Sequence, residues 1–191
     1  MDRALNAVRN LHTLIQANPH NANANAQNAV HQLTAAMRDA TDDALAALSA
    51  ALFPPPATAN DARPHDADLL RLLSDAVEKG RDQLEKLRAE LLRFLELYIE
   101  EHTLERERPG LVAPRAVDII KTCAHVLVRE TSNTNKELCF HPITLCLDLE
   151  GDVNDRRKLV KLLFEARDGA GRDTCILTRI WDLSSLAPRN T

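Results

Sequence analysis

The sequence predicts a mostly helical α+β protein, and three observations predict it. Only 3 % of the 191 residues are aromatic while 45 % are apolar, so the core must be built from Leu, Ala, Val and Ile, a composition that suits helices packed at close range. One stretch, Asp66 to Arg108, carries a three-four apolar spacing that runs through Leu70, Leu73, Val77, Gly80, Leu84, Leu87, Leu91, Phe94 and Tyr98. The last third changes texture, with short apolar runs between turn residues that read as strands.

In chain order, Asp2 to Ala17 places Leu5, Val8, Leu11, His12 and Ile15 on one face of a short amphipathic helix. That helix ends at Asn18-Pro19, because proline disfavours helix in the residue before it. The Asn/Ala alternation of 21–28 is expected to be a loop that becomes helix near Ala26. Ala26 to Leu52 then reads as one helix, with Val30, Leu33, Met37, Ala40, Ala44, Ala47 and Ala51 on a seam that Leu45, Leu48 and Leu52 widen. Its Ala-rich face suits a close antiparallel partner in the same chain, or a foreign helix laid into a groove.

Phe53-Pro54-Pro55-Pro56 stops this helix, and the segment to His65 has no apolar period, so residues 54–65 are expected to form a semi-rigid spacer. The long helix follows, with acids in its first turn where the helix dipole favours them. Asp75 with Lys79 and Asp82 with Lys86 are acid-then-base pairs four apart. Gly80 on the seam marks a close crossing or a hinge, at a cost of about 1 kcal/mol relative to Ala. A second stripe at Leu92, Leu95 and Ile99 requires cover on two sides. Pro109-Gly110 ends the element, and Arg115 to Glu130 forms an antiparallel follower with Val117, Ile120, Ala124, Leu127 and Val128 inward.

Leu138 to Leu149 is read as one strand, or two bent at Pro142. A helix from about Asp155 to Arg167 and a second strand from Thr174 to Leu183, which holds Trp181, complete a small strand-helix-strand unit. The expected organisation is a helical hairpin over 1–53, the spacer over 54–65, the long helix with its follower over 66–131, and an α/β unit over 132–191.

Four constellations bear on chemistry. Cys139, His141 and Cys146, with Cys123 and His125 upstream, contain zinc-ligand types, and on a strand Cys139 and His141 would share a face. The CxxC pairing of a structural knuckle is absent, and free cysteines are common core residues. Asp148, Glu150 and Asp152 at a strand end form an alternating carboxylate set of the kind that holds Mg²⁺, set against a plain capped turn. Arg156, Arg157, Lys158 and Lys161 form a basic face that could meet nucleic acid, but acids interleave with it and no stacking aromatics accompany it. Ser184, Ser185 and Cys175 have no nucleophile-elbow context, and Gly169-Ala170-Gly171 lacks the Lys-Ser/Thr of a phosphate loop.

Net charge is −4 with both signs interleaved, which gives no electrostatic reason to bind nucleic acid or an anionic membrane. No run approaches the roughly 20 apolar residues of a membrane span, and the charged start, Asp2 and Arg3, does not read as a leader. Four cysteines without a leader favour reduced thiols and an intracellular setting, cytoplasmic or nuclear. The resulting expectation is a non-enzymatic structural or assembly protein with no cofactor and no metal. It would self-associate or bind a helical partner subunit through Leu70, Leu73, Val77, Leu84, Leu87, Leu91, Phe94 and Tyr98. The competing expectations are a metal-dependent or catalytic module centred on 139–152 and nucleic-acid binding by the 156–161 face.

Overall fold

A computed structural model of the chain describes residues 1–54, 67–79 and 83–149, and for Asp148 the backbone only. Among these residues the protein is mostly helical, with seven α-helices and no strand. They are α1 (Asp2–Ala17), α2 (Pro19–Arg38), α3 (Asp42–Leu52), α4 (Leu69–Glu78), α5 (Glu85–Glu100), α6 (Ala116–Arg129) and α7 (Asn133–Leu149). A π-turn, Glu101–Glu105, extends α5, and two short 3-10 turns precede α6. Helix α5 lies at the centre, packed against α2 on one side and α7 on another, while α6 joins α7 to α4 and α1 packs on α2.

The Asn/Ala stretch is helix, not loop. Pro19 occupies the first helical position, where its missing N–H costs nothing, and the Asn18 side chain caps by accepting from the Asn21 N–H at 3.2 Å. Ala22, Ala26 and Ala29 recur at four and three residues and are buried, which turns most of the asparagines outward. The expected single helix Ala26–Leu52 is in fact two, broken at 39–41. In the second, Leu45, Leu48 and Leu52 form the buried face and Ala47 is exposed.

The long helix also divides. Helix α4 stops at Glu78 and α5 starts at Glu85, with Gly80 and Asp82 lying outside the described residues. Asp75 and Lys79 approach to 3.9 Å. Each end of the break is satisfied by a distant group. Arg88 donates to the carbonyl of Ala76 in the last turn of α4, at 3.1 Å. The Asn23 side chain of α2 accepts from the Leu87 N–H, at 2.8 Å, in the first turn of α5. At the start of α4, Asp68 accepts from the N–H groups of Leu70 and Arg71, and its own carbonyl accepts from His12 Nε2 at 2.9 Å. A terminus that exposes four unpaired backbone groups is thereby tied to its neighbours.

Helix α6 forms as expected, but its buried side is Ile119, Ile120, Cys123, Ala124, Val126 and Leu127, and Val117 is exposed. Helix α7 departs furthest from the expectation. The span read as a strand, Leu138 to Leu149, is the body of a helix that passes through Pro142. Asn135, Cys139, Ile143 and Cys146 are its buried side, a spacing of four, four and three that only a helix brings to one face. Burial between α5 and α6 outweighs the local cost of an internal proline. The spacer beyond Pro54, the helix expected from Asp155 and the strand expected from Thr174 fall outside the described residues.

Candidate functional site

All eight seam residues are buried by the chain's own helices. Leu84, Leu87 and Leu91 are fully enclosed, and Leu70, Leu73, Val77, Phe94 and Tyr98 nearly so. The second stripe, Leu92, Leu95 and Ile99, is fully buried as well. The two-sided cover that the sequence demands therefore comes from α2 and α7 of the same chain.

At the upper end of this core sits an ion pair that the sequence does not announce. Arg88, 1 % exposed, grips Glu130 with two parallel bonds, Nε to Oε2 at 2.6 Å and a terminal nitrogen to Oε1 at 3.0 Å. Glu130 follows α6 directly, and its carboxylate also accepts from the N–H groups of Thr131 and Ser132 at 2.9 and 3.1 Å. Asn135, in the first turn of α7, donates to Glu130 at 3.1 Å and to the Glu85 carbonyl at 3.1 Å. Three helices thus converge on one buried carboxylate, and Arg88 ties the end of α4 to it through the Ala76 carbonyl. Burial alone would raise the Glu130 carboxyl, but the bonds from Arg88, Asn135 and Ser132, with the Arg88 charge, outweigh it and hold it below the ordinary value. Every carboxylate oxygen is occupied by the chain, so the group is a fastening and has no capacity left for a substrate.

At the other end, Phe53, Tyr98 and His102 stack, with ring centroids 4.5 and 4.2 Å apart. Burial pushes the Tyr98 hydroxyl up to about 12, with the Ser49 hydroxyl facing it. The two do not close a hydrogen bond of normal geometry. His102 donates its Nδ1–H to the Tyr98 carbonyl, 2.8 Å away, and because a carbonyl only accepts, that partner fixes Nδ1 as the protonated nitrogen.

The cysteine reading changes with the helix. Cys123, Cys139 and Cys146 are fully buried free thiols between α6 and α7. Burial raises all three, Cys146 to about 12, and the neighbouring thiols add to the effect at Cys123. Two residues apart on a helix is about 200°, so His141 faces away from Cys139, is exposed, and meets Glu96 Oε1 at 2.5 Å. Among the described residues no group of three His, Cys, Asp or Glu side chains has the arrangement of a metal site. Glu150, Asp152 and the 156–161 face lie outside the described residues.

Surface depressions among the described residues include two that bear on binding. One, between α1 and α2, is lined by Arg3 and the amides of Asn6, Asn10, Asn25, Asn28 and Gln32. The other runs between α5 and α7 and is lined by Glu96, Glu100, His141, Thr144 and Leu145. Along α7 the apolar arc is wide. Leu138, Leu145 and Leu149 flank its buried side on one edge and Phe140 and Leu147 on the other, all partly exposed. No helix among the described residues is long and apolar enough to cross a membrane. Compared with family models, with curated proteins and with solved structures, the chain finds no match.

Proposed function

We propose that the protein is a non-enzymatic assembly protein that acts by helix-helix association, with a second copy or with a helical partner subunit. The observation that supports this reading is the breadth of the apolar arc on α7, which spans roughly two-thirds of its circumference against the narrower face of an ordinary surface helix. Its flanks, Leu138 and Leu145 on one side and Phe140 and Leu147 on the other, are only partly covered. The α5–α7 depression beside Leu145 places Glu96 and Glu100 at the rim, so the fitting partner is a helix with an apolar anchor flanked by basic residues.

The eight seam residues take a second place in this proposal. Buried as they are, they meet a partner only if helices exchange between copies, with the same contacts re-formed between chains. Light scattering separates the routes. Association through α7 gives a wild-type mass above 21.2 kDa that Leu145→Asp returns to a folded monomer. A wild type that stays at monomer mass, alone and with basic amphipathic helical peptides that also fail to bind, removes the proposal.

A further inference from the structure

The turn that ends α5 has features the core does not explain. Glu101–Glu105 is π-helical, and Arg106 donates its N–H back to the Glu101 carbonyl at 2.9 Å. Glu107 then sits at φ 51, the left-handed region that side chains rarely adopt. This wound segment is a clamp. The Arg106 guanidinium reaches the carbonyls of Met37, Arg38 and Ala40 at 3.4, 3.2 and 3.3 Å, capping the end of α2, and Arg108 pairs with Asp42 at the start of α3. Inside the clamp lies His102, wholly buried, stacked on Tyr98, its Nε2 enclosed with no partner.

We infer that His102 is a proton-operated release for this clamp, so that mild acid frees residues 101–108 from the α2–α3 junction while the rest of the bundle stays folded. A proton has one place to go, Nε2, because Nδ1 already donates to the Tyr98 carbonyl. It would arrive in a pocket with no acceptor and create a cation beside Arg106 and Arg108. The groups that bear on the ring are Glu101, Arg106 and Arg108 of the segment itself. Glu101 is committed to Arg106 at 2.8 Å, and Asp42 of α3 is committed to Arg108. Tyr98 offers α5's ring face, and the 3-10 turn Pro109–Leu111 packed on the segment bears no charge. Burial, the largest effect, and the two arginines keep the closed-state imidazole below its ordinary value, against the pull of the Tyr98 carbonyl and Glu101. The neutral ring therefore supports the closed clamp fully above about pH 6.5, and that support declines as pH falls toward the closed-state value.

Hydrogen exchange of the full chain at pH 7.5 and 5.5, corrected for the intrinsic pH dependence of exchange, tests this. The open fraction of 101–108 should rise by up to about tenfold per pH unit below 6.5, with protection of the α6 amides unchanged. His102→Phe keeps the stacked ring and should make exchange of the segment independent of pH. Equal protection of wild-type 101–108 at the two pH values overturns the inference, as does the same acid response in His102→Phe. Should that variant not fold, the wild-type His102 Cε1 proton resonance decides. A titration midpoint below 6.5 that coincides with the loss of protection supports release, and a midpoint at or above 6.5 contradicts it.

Discussion

Arg88 of α5 and Glu130 at the end of α6 are joined by two parallel hydrogen bonds at 2.6 and 3.0 Å with both side chains out of water. Two charges withdrawn from solvent are costly, and the pair holds because each remaining polar atom also finds a partner, Ala76 for the arginine and Thr131, Ser132 and Asn135 for the carboxylate. The arrangement fixes the register of α4, α5, α6 and α7 at one point.

Removing one partner should therefore hurt more than removing both. Glu130→Ala leaves a buried guanidinium, and urea unfolding should show a loss of about 3–5 kcal/mol. Arg88→Met with Glu130→Leu should cost clearly less than either single change, since it withdraws both charges of the pair together.

The same carboxylate predicts an acid response. Its folded-state value lies below the ordinary 4.5, so its contribution is complete above that pH and is lost as pH falls through the folded-state value. Stability measured from pH 6 to pH 2 should fall below about 4.5 in the wild type, and Glu130→Gln should flatten that part of the curve.

Asn23 should behave as a helix cap although it is 64 residues from the Leu87 amide that it caps. Asn23→Ala should cost about 1 kcal/mol, with faster exchange of the Leu87 amide. Asn25→Ala, exposed on the same helix and bonded among the described residues to the carbonyl of Asn21, should change stability by a few tenths of a kcal/mol.

The three thiols between α6 and α7 should be inert in the folded protein, because the thiolate is the reactive form and burial suppresses it. Alkylation followed by peptide mapping should leave Cys123, Cys139 and Cys146 unlabelled until denaturant is added.

These contacts explain which parts of the fold were legible in the sequence. The Leu70-to-Tyr98 spacing identified buried helix faces correctly, because a periodic apolar stripe is buried whichever chain covers it. It could not say that the cover would come from α2 and α7, which depends on contacts dozens of residues away. The break between α4 and α5 was visible only as Gly80, since its stabilising partners, Arg88 to Ala76 and Asn23 to Leu87, are tertiary. Helix α7 reads as a strand in the sequence because Cys139, Phe140 and Ile143 have strand character and Pro142 argues against helix. Two signals pointed the other way. Ser132 stands at the position of an N-cap residue, with its carbonyl accepting from Lys136, and Asn135, Cys139, Ile143 and Cys146 keep helical spacing. With the strand gone, the zinc reading of Cys139 with His141 loses its geometry. The Arg88–Glu130 fastening was not legible, because one arginine and one glutamate in a chain with 24 basic and 28 acidic residues carry no mark of burial.

The long apolar seam is the protein's own core, buried by its own helices. Leu87→Asp, examined by circular dichroism and light scattering together, tests it most directly. A buried carboxylate at a fully enclosed site should abolish cooperative unfolding and most helical signal. A variant that instead remains fully helical and merely falls from an oligomeric wild-type mass to 21.2 kDa would contradict it, and would place the seam between chains.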